Sequence, residues 1–309
     1  MTAKSPLISV VIPHLNQPDG LAACLASLGE QVIDPSLFEV IVVDNGSVCA
    51  PDELVAQHPG VSLLRQLKPG PGPARNLGVQ AAVGDMIAFI DADCRADPRW
   101  LSVAVDTLSC QVPGVILGGD VRIWRENKRE FTAIEAYESV FAYLQQRYIE
   151  QHGFSGTGNL VARRSDLERV GPFAGIQIAE DIEWGQRARA AGCTFLYVPD
   201  MIIFHPARQS MRELCTKWDR HLQHYVNEAR RKPGWRFRWL ARATAVLISP
   251  VVDFAKVFRS RRIEGMTARG KALIILVAIR AYRAWKMMTL LGESRGVVWN
   301  REIGLPDVE

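Results

Sequence analysis

Asp91 and Asp93, in Asp91-Ala92-Asp93, sit directly after the apolar run Met86-Ile87-Ala88-Phe89-Ile90. That run reads as a buried strand. Two carboxylates leaving one strand end can project from the same side, where like charges repel unless a cation joins them. A hard divalent ion, Mn2+ or Mg2+, carrying substrate phosphates is the natural partner. His205 closes another β-rich run and is a candidate third ligand beside Asp93; a mixed imidazole and carboxylate shell tolerates Mn2+ as well as Mg2+.

Other candidates lie at similar places. Asp44-Asn45-Gly46-Ser47 is turn chemistry, yet it follows an apolar run, where Asp44 can accept hydrogen bonds from a base or a ribose hydroxyl. Gly70-Pro71-Gly72-Pro73 lacks the third glycine of a dinucleotide loop and the Gly-Lys-Ser/Thr of a P-loop. The helix expected from Ala74 still offers a positive N-terminus, with Arg75 beside it for a diphosphate or a base carbonyl. Glu180-Asp181 opens a further expected helix. Acids there complement the helix dipole; a carboxylate fixed at a rigid helix start also suits proton abstraction from a hydroxyl.

Strands are expected at 7–12, 38–43, 61–64, 86–90, 115–123, 159–162, 194–198 and 201–204, and helices at 19–28, 51–57, 74–83, 98–108, 131–149 and 180–191. Pro69–Pro73 is expected to be loop. The alternation predicts an α/β fold with β-α-β units and a mostly parallel sheet. Ligands of such sheets bind beyond the carboxyl ends of the strands, where Pro13, Asp44, Asp91 and Asp93 all fall.

The 309 residues carry a formal charge of +4 that hides an asymmetry. Residues 1–229 hold 20 basic and 27 acidic residues, residues 230–295 hold 16 and 3, and residues 296–309 hold 1 and 3. Six cysteines show neither a Cys-X-X-Cys nor a zinc spacing and read as small core residues in a reducing compartment. Met1 to Ser5 is polar, and no signal peptide is read.

The ordered motifs resemble one family. Ile8-Ser9-Val10-Val11-Ile12-Pro13 with Asn16 is similar to its opening strand, and Val40-Ile41-Val42-Val43-Asp44-Asn45-Gly46-Ser47 to its second strand and nucleotide-binding acid. Ala74-Arg75-Asn76-Leu77-Gly78, Gly84-Asp85 and Phe89-Ile90-Asp91-Ala92-Asp93 resemble its central block. Gly158-Asn159-Leu160, Arg163-Arg164, Val170-Gly171-Pro172-Phe173 and Glu180-Asp181 resemble its acceptor half. Together they resemble glycosyltransferase family 2, the inverting enzymes of GT-A fold, over roughly residues 7–206. His14-Leu15-Asn16 and the lack of a Gln-rich QxxRW signature depart from the pattern; the second departure argues for transfer of a single sugar.

The resemblance implies a Rossmann-like GT-A domain over 1–210, with a nucleotide-sugar half (1–110) and an acceptor half (111–210). It implies a metal-dependent inverting transferase that moves one sugar from a nucleotide-diphosphate sugar, UDP foremost, to a hydroxyl acceptor. Asp181 would be the catalytic base with Glu180 beside it. Pro13, Asn16, Asp44, Arg75, Asp91, Gly158 and Asn159 would bind substrate, and Asp93, Asp91 and His205 would hold the ion. The alternative is a catalytically inactive sugar-nucleotide-binding or membrane scaffold protein; a nucleotidyltransferase would need a glycine-rich basic loop where Pro13-His14-Leu15-Asn16-Gln17 stands.

Residues 211–309 read as a basic helical region. The apolar stretches 239–258 and 271–291 are interrupted by charges before reaching the ~20 residues a membrane span requires. They are expected as amphipathic helices lying on an anionic membrane surface, with the protein peripheral on the cytoplasmic face of the cell membrane. A lipid-linked or cell-surface polysaccharide precursor would suit such a location. Interleaved charge and apolar runs argue for lipid and against nucleic acid.

Overall fold

The computed structural model describes residues 5–176 and 179–292. These form two compact units, one from 5–122, 143–176 and 179–205, the other from 123–142 and 206–292. Residues 293–309 of the expected helical region lie outside the described residues.

The first unit is built on an eight-stranded sheet: β1 (Ile8–His14), β2 (Phe38–Asp44), β3 (Val61–Arg65), β4 (Met86–Ile90), β5 (Arg95–Ala96), β6 (Val115–Trp124), β7 (Asn159–Arg163) and β8 (Thr194–Pro206). The order is β3-β2-β1-β4-β7-β6-β8-β5. The first four strands are parallel, joined by crossovers through α1 (Pro18–Gly29), α2 (Asp52–Ala56) and α3 (Pro71–Ala81). β7 then runs antiparallel to both β4 and β6.

Both faces of the parallel part are covered, which is why its strands read as unbroken apolar runs. Ile8, Val10 and Ile12 pack with Leu21, Leu25 and Leu28 of α1 and with Trp100, Leu101 and Leu108 of α4 (Trp100–Ser109). Val11, Ile41 and Val43 meet Ala74 of α3 and Trp184 and Ala188 of the later helix Glu180–Ala190 on the other face. The register sets His14 opposite Asp44, so two parallel strands deliver neighbouring polar side chains at their carboxyl ends.

Several boundaries differ from expectation. α3 begins at Pro71, inside the expected loop, with Gly70 before it at φ +116°. Pro71 and Pro73 fall in the first turn, where a missing amide costs nothing because those donors have no helical acceptor. A side chain at Gly70 would need a conformation that L-residues rarely adopt. The single helix expected over 131–149 is instead α5 (Ala133–Phe141), a break, α6 (Gln145–Arg147) and a wider turn, Tyr148–His152. Thr132 and Glu135 cap α5 reciprocally. Tyr143 then leaves helical geometry at φ 50°, with its ring 4.6 Å from that of His205. The helix α7 (Arg164–Val170) was not anticipated, and 194–198 and 201–204 form one strand, β8. α8 is Glu180–Ala190.

The second unit contains α5 and the long helices α9 (Met211–Arg230), α10 (Trp235–Arg259) and α11 (Met266–Thr289). α11 packs against α5, α9 and α10. The Trp239 indole N–H donates to the Met287 carbonyl (2.7 Å), and Asp253 accepts from Arg280 (2.8 Å). Among the described residues, no helix is long and apolar enough to cross a membrane.

Candidate active site

At the ends of β1 and β2, Asp44 is held from three sides. Its Oδ1 lies 3.1 Å from His14 Nδ1, and its Oδ2 accepts from the Gly46 and Ser47 amides at 3.3 and 3.2 Å. The Gln17 N–H donates to His14 Nε2, so His14 carries its proton on Nδ1 and presents it to Asp44. Burial alone would raise the Asp44 pKa; the hydrogen bonds from Ser47 and His14 outweigh it and hold the carboxyl below its ordinary value. Asn16 is committed to the same corner: its amide N–H donates to Ser47 Oγ and its Oδ1 accepts from Val48. Asn45 ties the corner to the start of α3, donating to the Gln66 and Lys68 carbonyls and accepting from Gly70. Pro13 lies in register with Val43 on this edge.

Arg75 lies in the first turns of α3 and is buried. It bridges two acids from distant segments, donating to Asp91 Oδ1 at 2.9 Å and to Glu180 Oε1 at 3.0 Å. Among the described residues its Nε has no partner. Burial works against its charge, but the two carboxylates more than offset that and raise its pKa. The neighbouring Asn76 exchanges a reciprocal pair of hydrogen bonds with the Phe173 backbone, both 2.8 Å. Gly158 completes this corner by omission: a Cβ there would stand 2.5 Å from Asp91 Oδ2.

Asp181 follows Glu180 at the start of α8. Burial, and next the charge of Glu180, push its pKa up, while Arg75 and the Ile182 amide pull the other way without prevailing. A carboxylate with a raised pKa is the better proton acceptor.

Asp93 and His205 meet, with Oδ2 and Nε2 3.4 Å apart. Ligating atoms of Asp93, Cys94 and His205 all lie within 4.8 Å of one another. The Cys94 thiol is buried, and burial, then the charges of Asp93 and Asp91, drive its pKa well up. A soft sulfur is a poorer match for a hard cation than the carboxylate and imidazole beside it. The Asp93 carboxylate oxygen and the His205 imidazole nitrogen form a donor set that would fit Mn2+ or Mg2+. Asp91 is outside this cluster; it pairs with Arg75.

Asn159 stands apart from the site. It is fully buried. Its amide donates to the Asp120 and Met201 carbonyls at 2.8 and 2.9 Å, and its oxygen accepts from the Trp100 indole at 2.8 Å. These bonds join α4, β6, β7 and β8 behind the site and leave the side chain nothing to offer a substrate. His14, Asn45, Tyr143 and the Glu180 link to Arg75 went unread in the sequence. The equal offset of His14 and Asp44 along paired strands is the one signal that could have exposed a partner.

A family model, Glycosyl transferase family 2, matches residues 9–171. Glycosyltransferase AglE of Haloferax volcanii is 34% identical over 215 residues, covering 67% of this chain and 69% of AglE. The pre-mycofactocin glycosyltransferase of Mycobacterium tuberculosis is 27% identical over 67% of this chain, which spans 44% of that relative. A solved structure of the mannosyltransferase PcManGT from Pyrobaculum calidifontis, in complex with GDP-Man and Mn2+, superposes with a TM-score of 0.59 at 19% identity, covering 94% of this chain and 89% of that one. The fold is thus GT-A. The matched motifs run through the strand ends that carry Asp44, Asp91 and Asp93, and the chain belongs to glycosyltransferase family 2.

Proposed function

We propose that this glycosyltransferase is a metal-dependent, inverting enzyme that moves one sugar from a nucleotide-diphosphate sugar to a hydroxyl acceptor. The observation that carries the reading is the bridge through Arg75, which ties Asp91 at the end of β4 to Glu180 beside Asp181. It sets a candidate donor-side acid about one guanidinium from Glu180, the sequence neighbour of the candidate base.

In this reading Asp44 receives the base or ribose and Asp91 the ribose or a phosphate-bearing group. Asp93 and His205 hold a divalent cation, which when bound neutralises charge on the departing diphosphate. Asp181 takes the acceptor proton while the acceptor oxygen attacks the anomeric carbon opposite the leaving group, so no covalent sugar-enzyme intermediate is needed. The raised Asp181 pKa supports that assignment, and family membership sets aside the scaffold alternative. The proposed acceptor is a lipid-linked or cell-surface polysaccharide precursor, met while the protein is peripheral on the cytoplasmic face of the membrane. UDP is the proposed nucleotide; the GDP-Man in PcManGT makes GDP the first competitor.

The test is a panel of UDP-, GDP- and dTDP-sugars, each with Mn2+, Mg2+ or EDTA, scored by thermal shift and nucleotide release. One donor should raise the melting point only with metal. Asp181→Asn should keep that shift and lose release. Metal-independent binding, or an unaltered response in Asp93→Ala, would overturn the assignment.

A further inference from the structure

The helices α10 and α11 expose an apolar surface that the fold does not use. On α10 a stripe runs through Leu240, Leu247, Val251 and Phe254, with Val251 78% exposed. On α11 the stripe includes Val277 and Met288, 55% and 52% exposed. At about 100° per residue, these positions recur on one face of each helix. No charged residue falls on that face between Phe237 and Phe258, or between Met266 and Met288.

The two stripes share a side. The helices meet antiparallel along a seam marked by Trp239 with Met287 and by Asp253 with Arg280. In each helix the stripe is centred about 100° round from the seam in the same rotational sense. Antiparallel neighbours turned alike present those faces to one side. The α10 stripe, from Phe237 to Phe258, is about 30 Å long.

The charge of the region selects the occupant. Residues 230–295 hold 16 basic and 3 acidic residues, with Arg236 at one end of the hairpin and Arg259, Arg261 and Arg262 at the turn. A second copy would bring the same positive charge to the contact. We infer that the α10–α11 hairpin lies in the plane of an anionic bilayer, its two stripes set among the acyl chains and its cations among phosphate headgroups. This rests on the peripheral-membrane part of the proposed function and is independent of the donor chemistry.

The test is co-flotation of the full chain with phosphatidylglycerol vesicles and, separately, phosphatidylcholine vesicles. The chain should float with the first and far less with the second. Val251→Asp and Val277→Asp should each cut recovery about tenfold, whereas Val112→Asp, at an exposed apolar position in the first unit, should change nothing. Each variant is also scored for nucleotide release, which the stripe variants should retain. Equal recovery of wild type and stripe variants, no flotation with either vesicle, or a dimer dispersed by Val251→Asp would overturn the inference. Flotation without nucleotide release would support the surface and count against the transfer reading alone.

Discussion

Arg75→Met removes the charge that joins the two acids and keeps much of the buried length. The wild-type guanidinium makes two charge-assisted hydrogen bonds, 2.9 and 3.0 Å long. Such bonds contribute about 1.5–3 kcal/mol each. The full sum does not apply, because the Asp91 side chain is 40% exposed and that of Glu180 22%, so both partly regain water. A net loss of roughly 2–4 kcal/mol remains, less than for a fully enclosed ion pair. At about 2–4 °C per kcal/mol for a body of this size, the melting point should fall by roughly 5–15 °C. The pH profile should move as well. Arg75 is one of the groups holding the Asp181 pKa down, so without it Asp181 stays protonated to higher pH and the acid limb of nucleotide release shifts upward. Urea unfolding followed by tryptophan fluorescence gives the first quantity, and initial rates across pH the second. A loss below about 1 kcal/mol together with an unmoved limb would refute the bridge as an organiser of the site.

The Asp181 pKa is raised on folding, so its contribution to stability is full below the unfolded value and lost as pH rises through the folded one; Asp181→Asn should therefore abolish transfer yet raise the melting point at neutral pH. Asp44 has the opposite sign: its contribution is present at neutral pH and lost as pH falls below the ordinary aspartate range, so Asp44→Asn should flatten the acid side of the stability curve. Gly158→Ala sets a Cβ 2.5 Å from Asp91 Oδ2 and should weaken donor binding by calorimetry while circular dichroism is unchanged. Asn159→Ala strands the Trp100 indole and two carbonyls in a dry interior and should cost about 3 kcal/mol or more by urea unfolding.

What could be read from sequence was what lies close along the chain. The apolar run before Asp91 announced a strand, and the strand end marked a candidate site, because β-structure with both faces covered leaves its signature in consecutive residues. The prolines at 71 and 73 misled, since the same residues that break a helix interior are harmless in its first turn. The amphipathic pattern of 131–149 gave no warning of the break at Tyr143, whose ring faces His205, 62 positions away in the sequence. Asn159 is implied as a substrate contact by the resemblance of Gly158-Asn159-Leu160 to the family's acceptor half; the packing of α4, β6 and β8 engages its amide instead. The partners of Arg75 were separately visible, but nothing local says that one guanidinium holds both.

That guanidinium has a temporal consequence. Its partners lie 16 and 105 residues further along the chain. A nascent fragment that has emerged only through β4 can satisfy half of Arg75, and contacts of such long span form late. Glu180 and Asp181 reach the ribosome exit together, so the candidate base arrives with the acid that Arg75 holds. In the proposed mechanism the candidate proton acceptor, Asp181, is therefore missing until nearly three-fifths of the polypeptide exists.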